Sequence, residues 1–254
     1  MAWADIFTDD YIVGFILLFF RFSAIFITVP IFSHKNIPMN IKATMAFFFA
    51  IVFYPSMPPL TMEINTISLI IAILTELFFG LMIGLILMLA YNVITFAGGI
   101  ISSMMGFSMA SAIDPQSGIS MPIISQFLSL MALMVLLSID MHHWVLLYID
   151  KSLSLVPLGG FRVDEKLFKY IISATSNMFL VGLMIAFPIV ALAWLADMIF
   201  GMLMKTMPQF NLLVIGFPIK IMVSFGVLIA TFTATMLIVK NEMISAFNAL
   251  EMFF

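Results

Sequence analysis

Five ionisable side chains interrupt long apolar runs in this sequence: Arg21, Glu76, Asp140, Asp197 and Lys220. A charge at the centre of a bilayer costs at least about 2.5 to 3.5 kcal/mol. Each of the five groups is therefore expected to face protein or water and to have a partner. They are the first candidates for chemistry in the chain.

Asp197 and Lys220 are the best-placed pair of opposite charges. Asp197 lies 11 residues before Pro208, and Lys220 lies 12 residues after it. At about 1.5 Å per residue, two helices joined near Pro208 place both side chains roughly 17 Å from the turn. The pair is either part of a proton or ion relay or a structural ion pair that fixes helix register. The structural role is favoured, because no chain of further carboxylates leads to the pair.

The adjacent histidines His142 and His143 are the next candidates. Neighbouring residues on a helix point about 100° apart, which is a poor arrangement for joint metal binding compared with an i, i+4 pair. We expect interfacial or packed histidines and no metal site. The sequence has no Cys and no G-x-S-x-G, H-E-x-x-H or Walker A motif, so it offers no set of catalytic residues. No enzyme activity and no cofactor are expected.

The composition excludes a soluble globular domain. Hydrophobic residues make up 64% of the 254 residues, charged residues only 9%, and the mean hydropathy is +1.22. A soluble domain has roughly 25% charged residues. The net charge of -3 and the lack of a Lys/Arg cluster give no reason to expect nucleic acid as a partner.

The elements that position these side chains are long apolar helices, so the sequence predicts an all-α membrane protein. Residues 43–54 form a run of only 12 residues before Pro55, which favours a buried or re-entrant helix that does not cross. Gly80 and Gly84 have the spacing that lets another helix approach closely. Longer helices are predicted at 11–32, 67–96 and 123–149, and as a hairpin at 170–203 and 212–239.

Unpaired groups within this pattern predict that the chain needs partner subunits. Arg21, Glu76, the short Phe-rich segment and the faces at Gly80 and Gly84 would all be satisfied by helices from other chains. Expressed alone, the chain is expected to aggregate or to be degraded.

Residues 97–122 separate the helices with a nearly uncharged stretch. Ten of the sixteen residues from 97 to 112 are Gly, Ala or Ser. Such a segment, closed by Asp114-Pro115, predicts irregular backbone. At membrane depth that backbone must be buried in protein or line a water-filled passage; otherwise it is a surface loop with an Asp-Pro turn. Met104, Met105 and Met109 are either a compressible seal or packing residues.

Two longer motifs carry a family resemblance: GFSMASAIDPQSG at 106–118 and MPQFNLLVIGFPIK at 207–220. With their order and spacing, they resemble the FliR family of export-gate subunits in bacterial flagellar type III secretion. The resemblance runs over essentially the whole chain. It implies a gate in the inner membrane, within the flagellar basal body, through which unfolded export substrates pass.

The resemblance also implies partners and an internal division. FliP-like and FliQ-like subunits would complete the gate, with FlhB and FlhA as neighbours. Residues 1–165, with the central loop 98–122, would be FliP-like, and residues 166–254 would be a FliQ-like helical hairpin. In the assembled gate the helices would lie largely above the bilayer.

A plug for the closed channel is the residue-level implication of the resemblance. It would be formed by Gly106, Phe107, Ser108, Met109, Ala110, Ser111, Ala112, Ile113, Asp114 and Pro115. A virulence injectisome subunit is the alternative within the same family pattern. A secondary transporter is disfavoured because no inverted repeat is evident, and an intramembrane hydrolase because no strained Ser motif is present.

Overall fold

The computed structural model describes residues 9–34, 36–60, 65–107, 122–207 and 212–253. All regular secondary structure in these residues is helical. Short 3₁₀ turns lie at Tyr54–Ser56 and Glu251–Phe253, and a π turn at Leu212–Gly216 leads into the last helix. The described residues contain seven α-helices: α1 (Asp9–Thr28), α2 (Met39–Phe53), α3 (Thr66–Met105), α4 (Ile123–Ser138), α5 (Met141–Leu155), α6 (Glu165–Thr206) and α7 (Phe217–Leu250). The predicted all-α fold class is confirmed.

Helix length and composition agree with a membrane protein. Five helices in the described residues are long and apolar enough to cross a bilayer, or six if α4 and α5 form one broken span. With 40 and 42 residues, α3 and α6 are each about 60 Å long, roughly twice the thickness of a hydrocarbon core.

The second helix is longer than the sequence indicated. It begins at Met39 rather than at residue 43, and with the 3₁₀ turn at Pro55 it reaches 18 residues. Length therefore no longer argues against a crossing at this point. Its phenylalanines pack on α1, where Phe22 lies 5.9 Å from Phe49 and 5.3 Å from Phe53 between ring centroids.

The irregular backbone predicted from residue 97 begins only at Gly106. Helix α3 continues through Gly98 and Gly99 to Met105, so the prediction was wrong for residues 97–105. Two glycines cost a helix about 1 kcal/mol each, and packing outweighs this cost. A Cβ on Gly98 would lie 2.5 Å from the Cα of Ser125, so glycine lets α4 approach α3.

The single helix predicted at 123–149 is broken. Helix α4 ends at Ser138 and α5 begins at Met141, with a bend of 63° between them. One of the two residues between them, Asp140, has a left-handed backbone with φ of 58°. Aspartate is one of the few residues that tolerate this conformation. Asp140 therefore lies at the break between two helices and is not a charge inside one helix.

Two compact units form, each from discontinuous segments. The first contains Met1–Leu89, Leu136–Ser173 and Ile244–Phe254, and the second contains Ala90–Val135 and Ala174–Met243. The first has a core of phenylalanine and leucine side chains around Leu17, Phe22 and Phe26. The second has a core of aliphatic side chains around Ile101, Leu128 and Ile189.

The C-terminal hairpin belongs mainly to the second unit. Asn177 on α6 donates to Glu242 on α7 at 2.8 Å, and Lys220 on α7 donates to Asp197 on α6 at 2.7 Å. Between these two contacts the residue number increases along α6 and decreases along α7. The two helices therefore run antiparallel, as the hairpin prediction required.

Candidate functional site

The candidate plug begins where α3 ends. The backbone N–H of Gly106 donates to Ser103, and that of Phe107 donates to Ser102, both at 3.1 Å. This pair of bonds, with Gly106 at φ of 94°, is a Schellman cap that stops the helix. The first residue of the candidate plug is therefore a fixed helix end rather than free loop.

The start of the plug segment is also held against α7. A Cβ on Gly106 would lie 3.0 Å from the Phe217 ring, so glycine allows the chain to pass close to that side chain. The rings of Phe107 and Phe225 meet edge to face with centroids 6.3 Å apart. Phe107 is partly buried against the core of the second unit. The other eight members of the candidate plug, Ser108, Met109, Ala110, Ser111, Ala112, Ile113, Asp114 and Pro115, lie outside the described residues.

The two described methionines before the loop pack inside the protein. Met105 is fully buried in the core of the second unit, and Met104 packs against the same core. Packing in the core of the second unit therefore explains both side chains. Met109 lies outside the described residues.

Asp197 and Lys220 are in contact across the hairpin. Lys220 Nζ lies 2.7 Å from Asp197 Oδ1 and 2.8 Å from Oδ2, so the ammonium is shared by both carboxylate oxygens. The two ends differ in environment, since the Lys220 side chain is 9% exposed and that of Asp197 is 54% exposed. The nearly buried ammonium of Lys220 is thus paired with a carboxylate that is itself half exposed on the hairpin.

Arg21 and Glu76 form the second ion pair, and both are fully buried. Arg21 Nε donates to Glu76 Oε2, and Nη2 donates to Oε1 at 3.1 Å. The guanidinium also lies over the Phe79 ring, with Cζ 4.6 Å from its centroid. The expectation that these charges wait for helices of other subunits was wrong, because each is the partner of the other.

The remaining polar atoms of this pair are satisfied by the segment after α5. Arg21 Nη1 donates to Ser152 Oγ at 3.2 Å, and Nη2 donates to the Val156 carbonyl at 3.3 Å. The backbone N–H of Gly159 donates to Glu76 Oε1 at 2.7 Å. A buried ion pair with this many hydrogen bonds holds the turn after α5 to α1 and α3. Sequence reasoning flagged both charges but missed their pairing, because the contact depends on how α1 packs on α3 and no local pattern signals it.

The small-residue face of α3 packs on α1 of the same chain. A Cβ on Gly80 would lie 2.6 Å from Ala24 Cβ, and one on Gly84 would overlap the Thr28 side chain. The predicted close approach is present, but its partner belongs to this chain rather than to another subunit.

Asp140, His142 and His143 come together at the start of α5. One potential ligand atom from each lies within 4.8 Å of the others. The expectation of a poor arrangement considered two histidines on a regular helix. The break at Asp140 adds a carboxylate that the periodic pattern could not place.

Comparison with known protein families gives a match over most of the chain. Residues 12–246 match the family described as bacterial export proteins, family 1.

Individual relatives agree with that match. The chain is 35% identical to flagellar biosynthetic protein FliR of Bacillus subtilis strain 168, over 82% of this chain and 81% of the relative. It is 28% identical to flagellar biosynthetic protein FliR of Escherichia coli K12, over 77% of this chain and 75% of the relative. The protein of the same name from Aquifex aeolicus is 24% identical over 82% of this chain and 81% of the relative.

Proposed function

Because this chain belongs to family 1 of the bacterial export proteins, the family of the flagellar FliR proteins, we propose that it forms part of a channel for unfolded export substrates. The chain is a helical membrane protein with a role in the flagellar export apparatus. The channel crosses the inner membrane in the flagellar basal body. The observation that carries the proposal is the family match along residues 12–246.

The partners in this channel are FliP-like and FliQ-like subunits, with FlhB and FlhA as neighbours. Residues 1–165 play the FliP-like part, and residues 166–254 the FliQ-like hairpin; α6 begins at Glu165, beside that boundary. Large apolar side chains on α6 and α7 are exposed, and they supply surface for subunits or lipid, among them Leu183, Met184, Phe187, Met198 and Ile229. Flagellar rather than injectisome use is supported by the names of the relatives.

Co-purification tests the assembly. A tagged chain expressed together with its FliP-like and FliQ-like neighbours should bring down both subunits in detergent. A chain that isolates alone from such a co-expression, in monodisperse form, would contradict the proposal.

The segment 106–115 closes the channel in this proposal. Its support is that the segment leaves from a capped helix end and that Phe107 is held against α7. The remaining residues to Ile113 are small or apolar and carry no charge, so few strong bonds oppose their displacement by a substrate.

A deletion that spares the packed residues tests this closure. Removing residues 108–113 leaves Gly106 and Phe107 in place, because losing Phe107 would also disturb the core. The assembled complex should form with normal yield and should leak small ions or dye across the inner membrane. Replacement of 108–113 by a Gly-Ser segment of equal length is the matched control for loop length. A deletion complex as tight as wild type would remove these residues from the role of seal.

A further inference from the structure

The break between α4 and α5 brings together three side chains of the types that bind transition metals. Asp140 immediately precedes α5, and its left-handed backbone leaves the carboxylate without a capping hydrogen bond to the helix. His142 and His143 lie in the first turn that follows. Their potential ligand atoms and that of Asp140 all lie within 4.8 Å of one another.

The distance between Asp140 and His143 matches metal coordination. Asp140 Oδ1 and His143 Nδ1 are 3.4 Å apart, which is long for an N–H···O hydrogen bond. With Zn–N and Zn–O bonds of about 2.0 to 2.2 Å, two ligands of a tetrahedral zinc ion lie about 3.4 Å from each other. These two atoms therefore already stand at the separation that a shared ion requires.

His142 supplies an independent observation. Its Nδ1 is buried and forms no hydrogen bond with any group in the described part of the chain. A buried nitrogen without a partner is costly, and a metal ion bound through Nδ1 would remove that cost. The imidazole rings of His142 and His143 are also adjacent, with centroids 4.1 Å apart.

The other two side chains, Asp140 and His143, are accessible to an ion from solvent and are free to adjust their positions. The side chain of Asp140 is 69% exposed and that of His143 is 61% exposed. Both can rotate to close the 4.8 Å cluster to coordination distances, and water can fill the fourth position of the ion. Two imidazoles and one carboxylate suit Zn²⁺ and its neighbours rather than Ca²⁺ or Mg²⁺.

We propose that Asp140, His142 and His143 form a binding site for a divalent transition-metal ion of the Zn²⁺ class. The ion joins the residue that precedes α5 to the first turn of that helix. The site shares no residue with the candidate plug or with either ion pair, and it stands independently of the proposed function.

Metal titration of the full chain, purified with the subunits that co-isolate with it, tests the site. Zn²⁺ added in competition with a chromophoric chelator should bind with one equivalent per chain. His143→Ala and Asp140→Asn should each weaken binding at least tenfold. His34→Ala is the matched control, because His34 is the only histidine outside the site, and it should leave the affinity unchanged. Equal affinity in wild type and His143→Ala, or loss of binding in His34→Ala, would overturn the proposal.

A second measurement needs no variant. Co²⁺ bound to the wild-type chain in place of Zn²⁺ should give visible d–d absorption distinct from that of the aqueous ion, with the intensity of a site of low coordination number. Binding should weaken on acidification, because protons compete with the metal ion for the imidazole nitrogens. A Co²⁺ spectrum identical to that of the hydrated ion at neutral pH would overturn the proposal.

Discussion

At the scale of single residues, the unequal environment of Asp197 and Lys220 determines how each should respond to substitution. Lys220 is nearly buried, whereas Asp197 is half exposed. Removing the carboxylate leaves an ammonium with little water around it. Removing the ammonium leaves a carboxylate that water or another polar group can reach. The two single variants should therefore differ.

We predict that Asp197→Asn destabilises the protein more than Lys220→Met does. Breaking a fully buried pair costs roughly 3 to 5 kcal/mol, and the exposure of Asp197 lowers the expected loss for Asp197→Asn to about 2 kcal/mol. The double variant should recover part of it. Thermal unfolding of the purified complex measures all three. The matched control is Glu165→Gln, which breaks the exposed pair with Lys169 and should cost about 0.5 kcal/mol or less. A double variant no more stable than Asp197→Asn would show that the two residues do not interact.

Glu76 should be the most sensitive ionisable residue of the first unit. In Glu76→Gln the amide oxygen can still accept from Gly159, but the buried guanidinium of Arg21 loses its counter-charge. The expected loss in the free energy of unfolding is about 3 to 5 kcal/mol. Glu251→Gln is the comparison, because its pair with Lys151 is half exposed and should be worth about 0.2 to 1 kcal/mol. Similar thermal shifts in the two variants would contradict the structural role of the buried pair.

Sequence reasoning found the residues of both pairs but only one pairing. Asp197 and Lys220 are related by a short turn, so distance along two adjacent helices places them at one depth. Arg21 and Glu76 are 55 residues apart, and their contact depends on how α1 packs on α3. The Asp140, His142 and His143 cluster was missed for a local reason, since a regular helix was assumed where the backbone turns left-handed.

At the scale of helices, α3 carries glycines with opposite requirements. Gly84 faces Thr28 of α1 without room for a side chain, whereas a Cβ built on Gly99 would have no other part of the described residues within 4 Å, apart from its own helix. The same substitution in the same helix should thus have opposite effects.

We predict that Gly84→Ala destabilises the protein by about 1 to 3 kcal/mol, because the new methyl group forces α1 and α3 apart. Gly99→Ala should be stabilising by about 0.5 to 1 kcal/mol, since alanine favours the helix and meets no neighbour. Thermal unfolding of the two variants under identical conditions is the measurement. A stabilising effect of Gly84→Ala would show that α1 does not approach α3 as closely as the structure indicates.

Apart from the break at Asp140, the helices were predictable where apolar runs were long, and the prediction was wrong where small residues dominated. Residues 97–105 are rich in Gly, Ala and Ser, and composition favoured loop. The helix persists there because it packs on α4: a Cβ on Gly98 would lie 2.5 Å from Ser125 Cα, and Ile101 and Met105 share a core with Ile124 and Leu128. Such tertiary contacts are not visible in a single sequence.

At the scale of the whole molecule, exposed apolar surface replaces unpaired charge as the reason to expect partners. Arg21 and Glu76 are satisfied within the chain, and Gly80 and Gly84 pack on α1. Many large apolar side chains on α6 and α7 remain exposed. Lipid and neighbouring subunits can both cover such faces, and the two coverings predict different surroundings for α6.

We predict that α6 does not cross the bilayer as a conventional span in the assembled complex, as the family resemblance implies. Its 42 residues are about 63 Å long, while a hydrocarbon core of roughly 30 Å shields only about 20 residues. The chain has no Cys, so a single introduced Cys can carry a spin label without competition. Suitable outward-facing positions are Ile172, Leu183, Phe187, Leu195 and Met202.

The collision rates of the spin label with oxygen and with a polar nickel chelate distinguish lipid from a neighbouring subunit around α6. A label in lipid meets oxygen often and the chelate rarely, whereas a label under a neighbouring subunit meets both rarely. In the assembled complex, the five positions should show low access to both reagents or open access to the chelate at the helix ends. Parallel labels at Ile12 and Ile27 on α1, both exposed, give a second helix for comparison. A continuous window of about 20 residues on α6 with high oxygen and low chelate access would place that helix across the bilayer and contradict the prediction.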